Sequence, residues 1–182
     1  MSRTRPRRSI STEPPSRHAR SAPLIALGAA GALAARAFLV RALLFKFRHD
    51  VATLNAGDYE PTLSNYADDA VLRFNEGPHR WSGEHRGKPA IARFLRNFVD
   101  AGLQGEVTEL LITGAPWRMT AIARFDDHAH DSDGKQIYHN RTVLLMRTRW
   151  GRIVHHEDFY EDTGRILDLD AHLSERGVLP SE

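Results

Sequence analysis

Between Glu106 and Tyr160 the chain is divided by turn signals into four strand-length segments: Glu106–Thr113, Trp117–Asp127, Ile137–Thr148 and Arg152–Tyr160. Asp131-Ser132-Asp133-Gly134 supplies the Asp-Gly step that tight hairpins favour, because both residue types tolerate positive φ. Trp150-Gly151 separates the last two segments. Consecutive strands joined by such short connections pair antiparallel, so this stretch reads as a β-meander.

Helical patterns precede the meander. Leu39, Leu43, Phe47, Val51 and Leu54 recur at steps of four, four, four and three, which makes one apolar stripe on a helix. Asn55-Ala56-Gly57 ends that helix, with the glycine as its C-cap. Pro61 suits the first turn of a second, short helix, with Leu63 and Tyr66 facing inward. Val71–Phe74 reads as a strand, Asn75-Glu76-Gly77-Pro78 as a turn, and Trp81 falls in a short second strand. Gly87-Lys88-Pro89 opens another helix, with Ile91, Phe94, Leu95 and Phe98 as its inner stripe. A terminal helix carries Ile166, Leu169 and Leu173. Helices, a helix between short strands, then a long meander is an α+β order. A curved, mostly antiparallel sheet wrapped by helices makes a cone around an apolar pocket. There is no internal repeat.

Charge separates the chain into parts. Residues 1–22 hold six arginines and one acid, although the 182-residue chain is only +2 overall, so the remainder carries a slight excess of acid. That body has no basic surplus with which to neutralise phosphates, so a nucleic-acid partner is not expected. The chain is 41% hydrophobic, enough for one core. It has no cysteine, which excludes disulfides, zinc–thiolate sites, iron–sulfur clusters and thiol catalysis. The P-loop, GxSxG and GxGxxG patterns are missing too.

Residues 1–22, rich in Arg, Ser and Pro, read as a disordered basic tail. Residues 23–36 read as an apolar N-terminal extension leading into the first helix. The uncharged run Leu24–Ala35 would rise about 18 Å as a helix, short of a bilayer core of about 30 Å. A secretory signal, or membrane contact through residues 23–45, is the alternative reading, and a cytoplasmic location goes with the preferred one. Residues 37–175 form the folded domain, followed by a tail at 176–182.

On the final strand, alternation places Val154, His156, Asp158 and Tyr160 on one face and Ile153, His155, Glu157 and Phe159 on the other. Neither face is cleanly apolar. One must face the sheet's concave side, so an ionisable group is partly desolvated there. A carboxylic acid in such a place trades protons near neutral pH; the alternative is that Asp158 pairs with an arginine. Arg124 and Asp126 share a face of their strand, either as a simple ion pair or with Arg124 between two carboxylates. His128, His130 and Asp131 lie at a hairpin with His139 across the turn, where such groups are usually solvated, and no metal is expected. Trp81, Trp117, Phe74 and Phe125 read as core.

Several segments resemble the SnoaL-like branch of the NTF2-like superfamily. They are Leu54-Asn55-Ala56-Gly57-Asp58-Tyr59-Glu60-Pro61, Tyr66-Ala67-Asp68-Asp69-Ala70-Val71, Gly83-Glu84-His85-Arg86-Gly87, and Trp150-Gly151-Arg152-Ile153-Val154 running on to Glu157-Asp158-Phe159-Tyr160-Glu161-Asp162-Thr163. The resemblance spans residues 37–173 and implies the NTF2-like cone. That fold hosts ketosteroid isomerases, polyketide cyclases, limonene-epoxide hydrolases and non-catalytic binders. The last strand is most similar to limonene-1,2-epoxide hydrolases, whose pattern is Arg-x-Asp on one strand and a second Asp near the end. On that likeness Asp158 is the general base on water, Asp126 the general acid on the epoxide oxygen, and Arg124 the bridge. The family's water-holding Asn falls on Asn75, while its Tyr position is occupied here by Arg73. His156, Tyr160 and Trp81 complete the expected binding set.

Three functions follow as expectations: hydration of an epoxide on a small apolar molecule, an isomerase or cyclase working through Asp158 or His156, or a non-catalytic pocket or dimerisation module. No organic cofactor is expected, since water or a proton is the only reagent this chemistry needs. A homodimer is implied by the resemblance.

Overall fold

A computed structural model describes residues 22–181 in backbone, and side chains at 31 and 33–181. The basic tail expected at 1–22 lies, apart from Ala22, outside the described residues. The elements are α1 (Ala22–Asn55), α2 (Glu60–Ser64), β1 (Tyr66–Phe74), β2 (Gly83–Arg86), α3 (Gly87–Asp100), β3 (Gln104–Ala115), β4 (Arg118–His130), β5 (Gln136–Arg149), β6 (Arg152–Tyr160) and α4 (Thr163–Glu175). The chain divides into two units after Leu39, within α1. The first contributes only helix among the described residues. The second holds the sheet, the other helices and the remainder of α1.

Six strands form one sheet in the order β2-β1-β6-β5-β4-β3. Every neighbouring pair is antiparallel except β1–β6, which is parallel and brings the first strand beside the last. The meander spans β3 to β6 as expected, with strands up to three residues longer at an end, because cross-strand pairing continues into the turns. Trp150 and Gly151 both take positive φ, 51° and 77°, between the paired Arg149 and Arg152. That is the backbone a two-residue hairpin with right-handed strand twist requires.

Three expectations are corrected. Tyr66 is not on α2: it opens β1, because α2 stops at Ser64. Trp81 is not in a strand; it sits in a turn before β2, 1% exposed and packed into the core. Trp117 is not core: it lies 56% exposed in the turn before β4. Within the tail, residues 176–181 fold back: Val178 packs against the core, and Ser181 donates its backbone N–H to Asn97 Oδ1.

The main core lies between the sheet and α3 and α4, where Leu72, Ile91, Phe94, Leu95, Ile166 and Leu169 are buried. The amphipathic stripes legible in the sequence are the faces buried here. Asp162 caps α4, accepting from the Gly164 and Arg165 N–H groups, which have no intrahelical partner. A smaller cluster of Ala123, Phe125 and Met146 packs beneath Phe47 and Val51 of α1.

Candidate active site

The concave side of the sheet encloses a cavity of about 110 Å³. Its wall is mainly apolar, with Phe47, Phe94, Phe98, Phe125, Leu144 and Met146 among the lining residues. Acid, amide, hydroxyl and imidazole side chains also reach it, among them Asp50 and Asn55 of α1, Asn65 at the α2–β1 junction, Tyr66 of β1, Asp127 of β4 and three residues of β6.

The first group comes from β6 and β1. Arg147 and Thr148 are adjacent on β5 but pair with His155 and Ile153 on β6, which leaves Val154 as an extra residue in a bulge. Ile153, not Val154, therefore joins His156, Asp158 and Tyr160 at the cavity wall. A second irregularity, between Tyr66 and Val71 in the parallel β1–β6 pairing, sets Tyr66 opposite Ile153. The Tyr66 hydroxyl then lies 2.6 Å from His156 Nδ1, and His156 Nε2 lies 2.7 Å from Asp158 Oδ1.

Burial, reinforced by the Asp158 carboxylate, pushes the Tyr66 hydroxyl far above the usual phenol range. Tyr66 thus stays protonated. In the Nε2–H tautomer of His156 the Tyr66 hydroxyl donates to Nδ1 and Nε2 donates to Asp158, so each of these atoms is paired. His156 and Asp158 are 6% and 8% exposed.

The second group comes from β4. Burial alternates along this strand: Ala123, Phe125, Asp127 and Ala129 face inward, while Arg124, Asp126 and His128 lie on the other face and are less buried. Asp127, not Asp126, is the carboxylate at the cavity. Asp127 is 2% exposed, and its Oδ2 has no hydrogen-bond partner among the described residues. Burial pushes its carboxyl up to about 7, with Tyr160 partly offsetting that and the Asp158 and Asp126 charges adding to it. Tyr160 itself is held well above the usual phenol range by burial, then by the Asp127 and Asp158 charges. Asp127 and Tyr160 are a pair of neutral donors below neutral pH.

The third group is at the end of α1. Asp50, 7% exposed, accepts from Lys46 Nζ at 2.6 Å and Asn65 Nδ2 at 2.8 Å. One turn on, Asn55 binds Gly105 of β3 twice, donating from Nδ2 to its carbonyl at 2.9 Å and accepting its N–H at 3.0 Å. A Cβ at Gly105 would stand 3.0 Å from both Asp127 Oδ1 and the Phe125 ring. Glycine lets β3 pass close to the acid that matters.

The expected meeting of Arg124, Asp126 and Asp158 in one hollow is not made. Asp126 lines a different, polar cleft with His139, Arg141, Glu161, Asp162 and Arg165. A strand's two faces cannot both look into the same cavity. Arg73 is exposed and bound to Glu84 at 2.9 Å. Neither Asn75 nor Trp81 lines the cavity. His156, Asp158 and Tyr160 do.

Sequence reasoning missed Asp127, Tyr66, Asp50 and Asn65. A signal for Asp127 was present: Ala121, Ala123, Phe125 and Ala129 are the apolar parity of β4, and Asp127 shares it. Nothing local marked Tyr66, whose position depends on a parallel pairing across ninety residues. Among the described residues no group of three or more His, Asp or Glu side chains is arranged to hold a metal ion.

Similar architecture occurs in solved structures. An NTF2-like protein of unknown function from Burkholderia pseudomallei superposes with a TM-score of 0.57 at 20% identity, over 70% of this chain and 95% of that one. TerC, co-crystallised with polyporic acid, gives 0.55 at 20% identity, over 70% and 97%. A function-unknown protein from Mycobacterium tuberculosis gives 0.57 at 14% identity, over 78% and 88%. Likeness at these identities speaks for the fold. No curated protein matches the chain. Residues 47–156, which carry α3, all of β1 to β5 and most of the cavity wall, match the SnoaL-like domain. The chain therefore belongs to the SnoaL-like family, built on the NTF2-like fold.

Proposed function

We propose that this protein is a cofactor-independent acid–base enzyme that moves a proton on a small, largely apolar carbonyl compound, in an isomerisation or a cyclisation. The observation that carries this reading is the pairing of unlike carboxyls on one apolar cavity. Asp158 is engaged through Oδ1 by His156, while Asp127 holds its proton up to about pH 7. A carboxyl kept protonated by burial, beside a second one engaged by a histidine, is an arrangement suited to an acid and a base.

In this mechanism Asp158 takes the proton α to the carbonyl through its second oxygen, and the Tyr66–His156 chain orients it. Asp127 and Tyr160 donate hydrogen bonds to the oxygen on which negative charge develops. The apolar wall excludes water and strengthens both interactions. Returning the proton to another carbon completes an isomerisation; in a cyclisation the enolate carbon attacks a second carbonyl of the substrate, whose π bond opens to an alkoxide that takes the proton back from Asp158.

The same two carboxyls could instead add water to an epoxide, with Asp158 activating the water and Asp127 protonating the leaving oxygen. The separation of Arg124 and Asp126 from the cavity favours the carbonyl reaction. The test incubates the full chain with a panel of small cyclic ketones and enones in deuterated water and follows carbon-bound deuterium by NMR. Epoxides in oxygen-18 water run in parallel. Deuterium incorporation that falls about 100-fold or more in Asp158→Asn supports the reading. Labelled diol without deuterium exchange selects epoxide hydration. Ligands that bind and leave unaltered in both assays make the cavity a non-catalytic binding site.

A further inference from the structure

Proton transfer at the sheet leaves the helical wall of the cavity unused. Asp50 lines the hollow from α1, Thr62 from α2 and Asn65 from the junction before β1, while Asp127, Asp158 and Tyr160 line it from the sheet. The hydrogen-bonding capacities of the two walls differ. Asp127, protonated below about pH 7, and Tyr160 are donors.

On the helical wall the protons are already spent. Asn65 gives both Nδ2 protons away, to Asp50 Oδ2 at 2.8 Å and to the Pro61 carbonyl at 3.1 Å. Thr62 gives its hydroxyl proton to the Asp50 carbonyl at 3.4 Å. Asp50 accepts from Lys46 Nζ at 2.6 Å, again through Oδ2. No described group donates to Asp50 Oδ1 or Asn65 Oδ1, so these oxygens are the acceptors left for a ligand. A ligand atom at this wall must bring the proton itself. The Lys46 ammonium already balances the Asp50 carboxylate, which favours a neutral hydroxyl over a cationic amine. Size narrows the choice further. A dry apolar cavity of about 150 Å³ accepts benzene, so a single small ring fills a hollow of about 110 Å³.

We propose that the substrate is a single-ring hydroxy ketone, bound with its carbonyl at the sheet wall and its hydroxyl donating to Asp50, which is thereby the specificity-determining residue. The carbonyl end of this assignment rests on the proton transfer proposed above; the hydroxyl end does not.

The experiment titrates the full chain calorimetrically with 3- and 4-hydroxycyclohexanone, with 3- and 4-methylcyclohexanone, which match them in size but carry no donor, and with 2-decalone. Deuterium exchange next to the carbonyl is followed by NMR on the same samples. Expected is a hydroxy ketone held more than about tenfold tighter than its methyl counterpart, with 2-decalone the weakest ligand. In Asp50→Leu the hydroxyl preference should fall to about twofold or less, and Asp50→Asn, which keeps an acceptor oxygen but no charge, should retain part of it. A purely structural Asp50 would instead lower the thermal midpoint and weaken hydroxy and methyl ketones alike, which overturns the proposal. So does equal affinity of the wild type for the two kinds of ketone, a comparison that needs no variant, and so does failure to bind any of them. Binding of 2-decalone as tight as that of the methyl ketones overturns the single-ring limit. A hydroxyl preference without deuterium exchange keeps Asp50 in its role and removes the proton transfer. Exchange at equal rates on hydroxy and methyl ketones keeps the proton transfer and removes the role of Asp50.

Discussion

The Tyr66 hydroxyl and Nδ1 of His156, ninety residues apart in sequence, lie 2.6 Å apart between two buried side chains. A Tyr66 hydroxyl that donates to Nδ1 favours the Nε2–H tautomer, in which Nε2 donates to Asp158. Replacing Tyr66 with Phe removes the donor and leaves a buried nitrogen unpaired. We expect a loss of about 1–3 kcal/mol of stability and a mixed tautomer. Imidazole nitrogen shifts measured by NMR check this: a ring that remains wholly protonated on Nε2 in Tyr66→Phe would remove Tyr66 from the relay.

Asp127 makes the fold pH-dependent in a definite direction. Its carboxyl ionises near 3.8 when unfolded and near 7 when buried. Folding therefore favours the protonated form, and its contribution is full below the lower value and lost as pH rises toward the upper one. Asp127→Asn carries no such loss. The variant should gain on the wild type by about 1.4 kcal/mol per pH unit between the two values, then hold a constant advantage above them. Denaturant unfolding across that window is the measurement, and a flat difference would mean that Asp127 is not buried as a neutral acid. The same variant should lose turnover.

Gly105 is the point at which β3 can come no nearer. In Gly105→Ala the added methyl meets Asp127 and Phe125 at 3.0 Å, closer than atoms sit comfortably. Either the strand or the acid must shift, at a cost of about 1–3 kcal/mol. Thermal unfolding reads the cost; an unchanged midpoint would show that β3 is free to retreat.

Trp150 is the one non-glycine residue with positive φ among the described residues, at 51°. It is 77% exposed, so little packing compensates for the left-handed backbone. Trp150→Asn, which makes an Asn-Gly turn, should stabilise the hairpin by about 1 kcal/mol. A fall in the unfolding midpoint would point to a contact made by the indole in solution.

On the outer face of the sheet Leu111 pairs with Ile122, and Val143 with Phe159, and all four are exposed. Such a patch suits a second copy of the chain. We expect a dimer by sedimentation equilibrium, reduced to a monomer by Val143→Lys. A monomeric wild type would leave this face to another partner.

The sequence by itself determined the elements and most of their order. Stripes such as Ile91-Phe94-Leu95-Phe98 and turns such as Asp133-Gly134 are local instructions, because helix periodicity and turn chemistry act over a few residues. It also placed Asp158, His156 and Tyr160 on one strand face, which is where they are found. The apolar parity of Ala121, Ala123, Phe125 and Ala129 hinted at which face of β4 looks inward, but only the tertiary structure put Asp127 rather than Asp126 at the cavity. A shift of one residue in strand parity carries a side chain from one side of the sheet to the other, and Arg-x-Asp does not say which side is concave. Tertiary structure alone also brought Tyr66 to His156, because parallel pairing of the first strand with the last, and the bulges that adjust its register, depend on contacts that no short stretch of sequence contains.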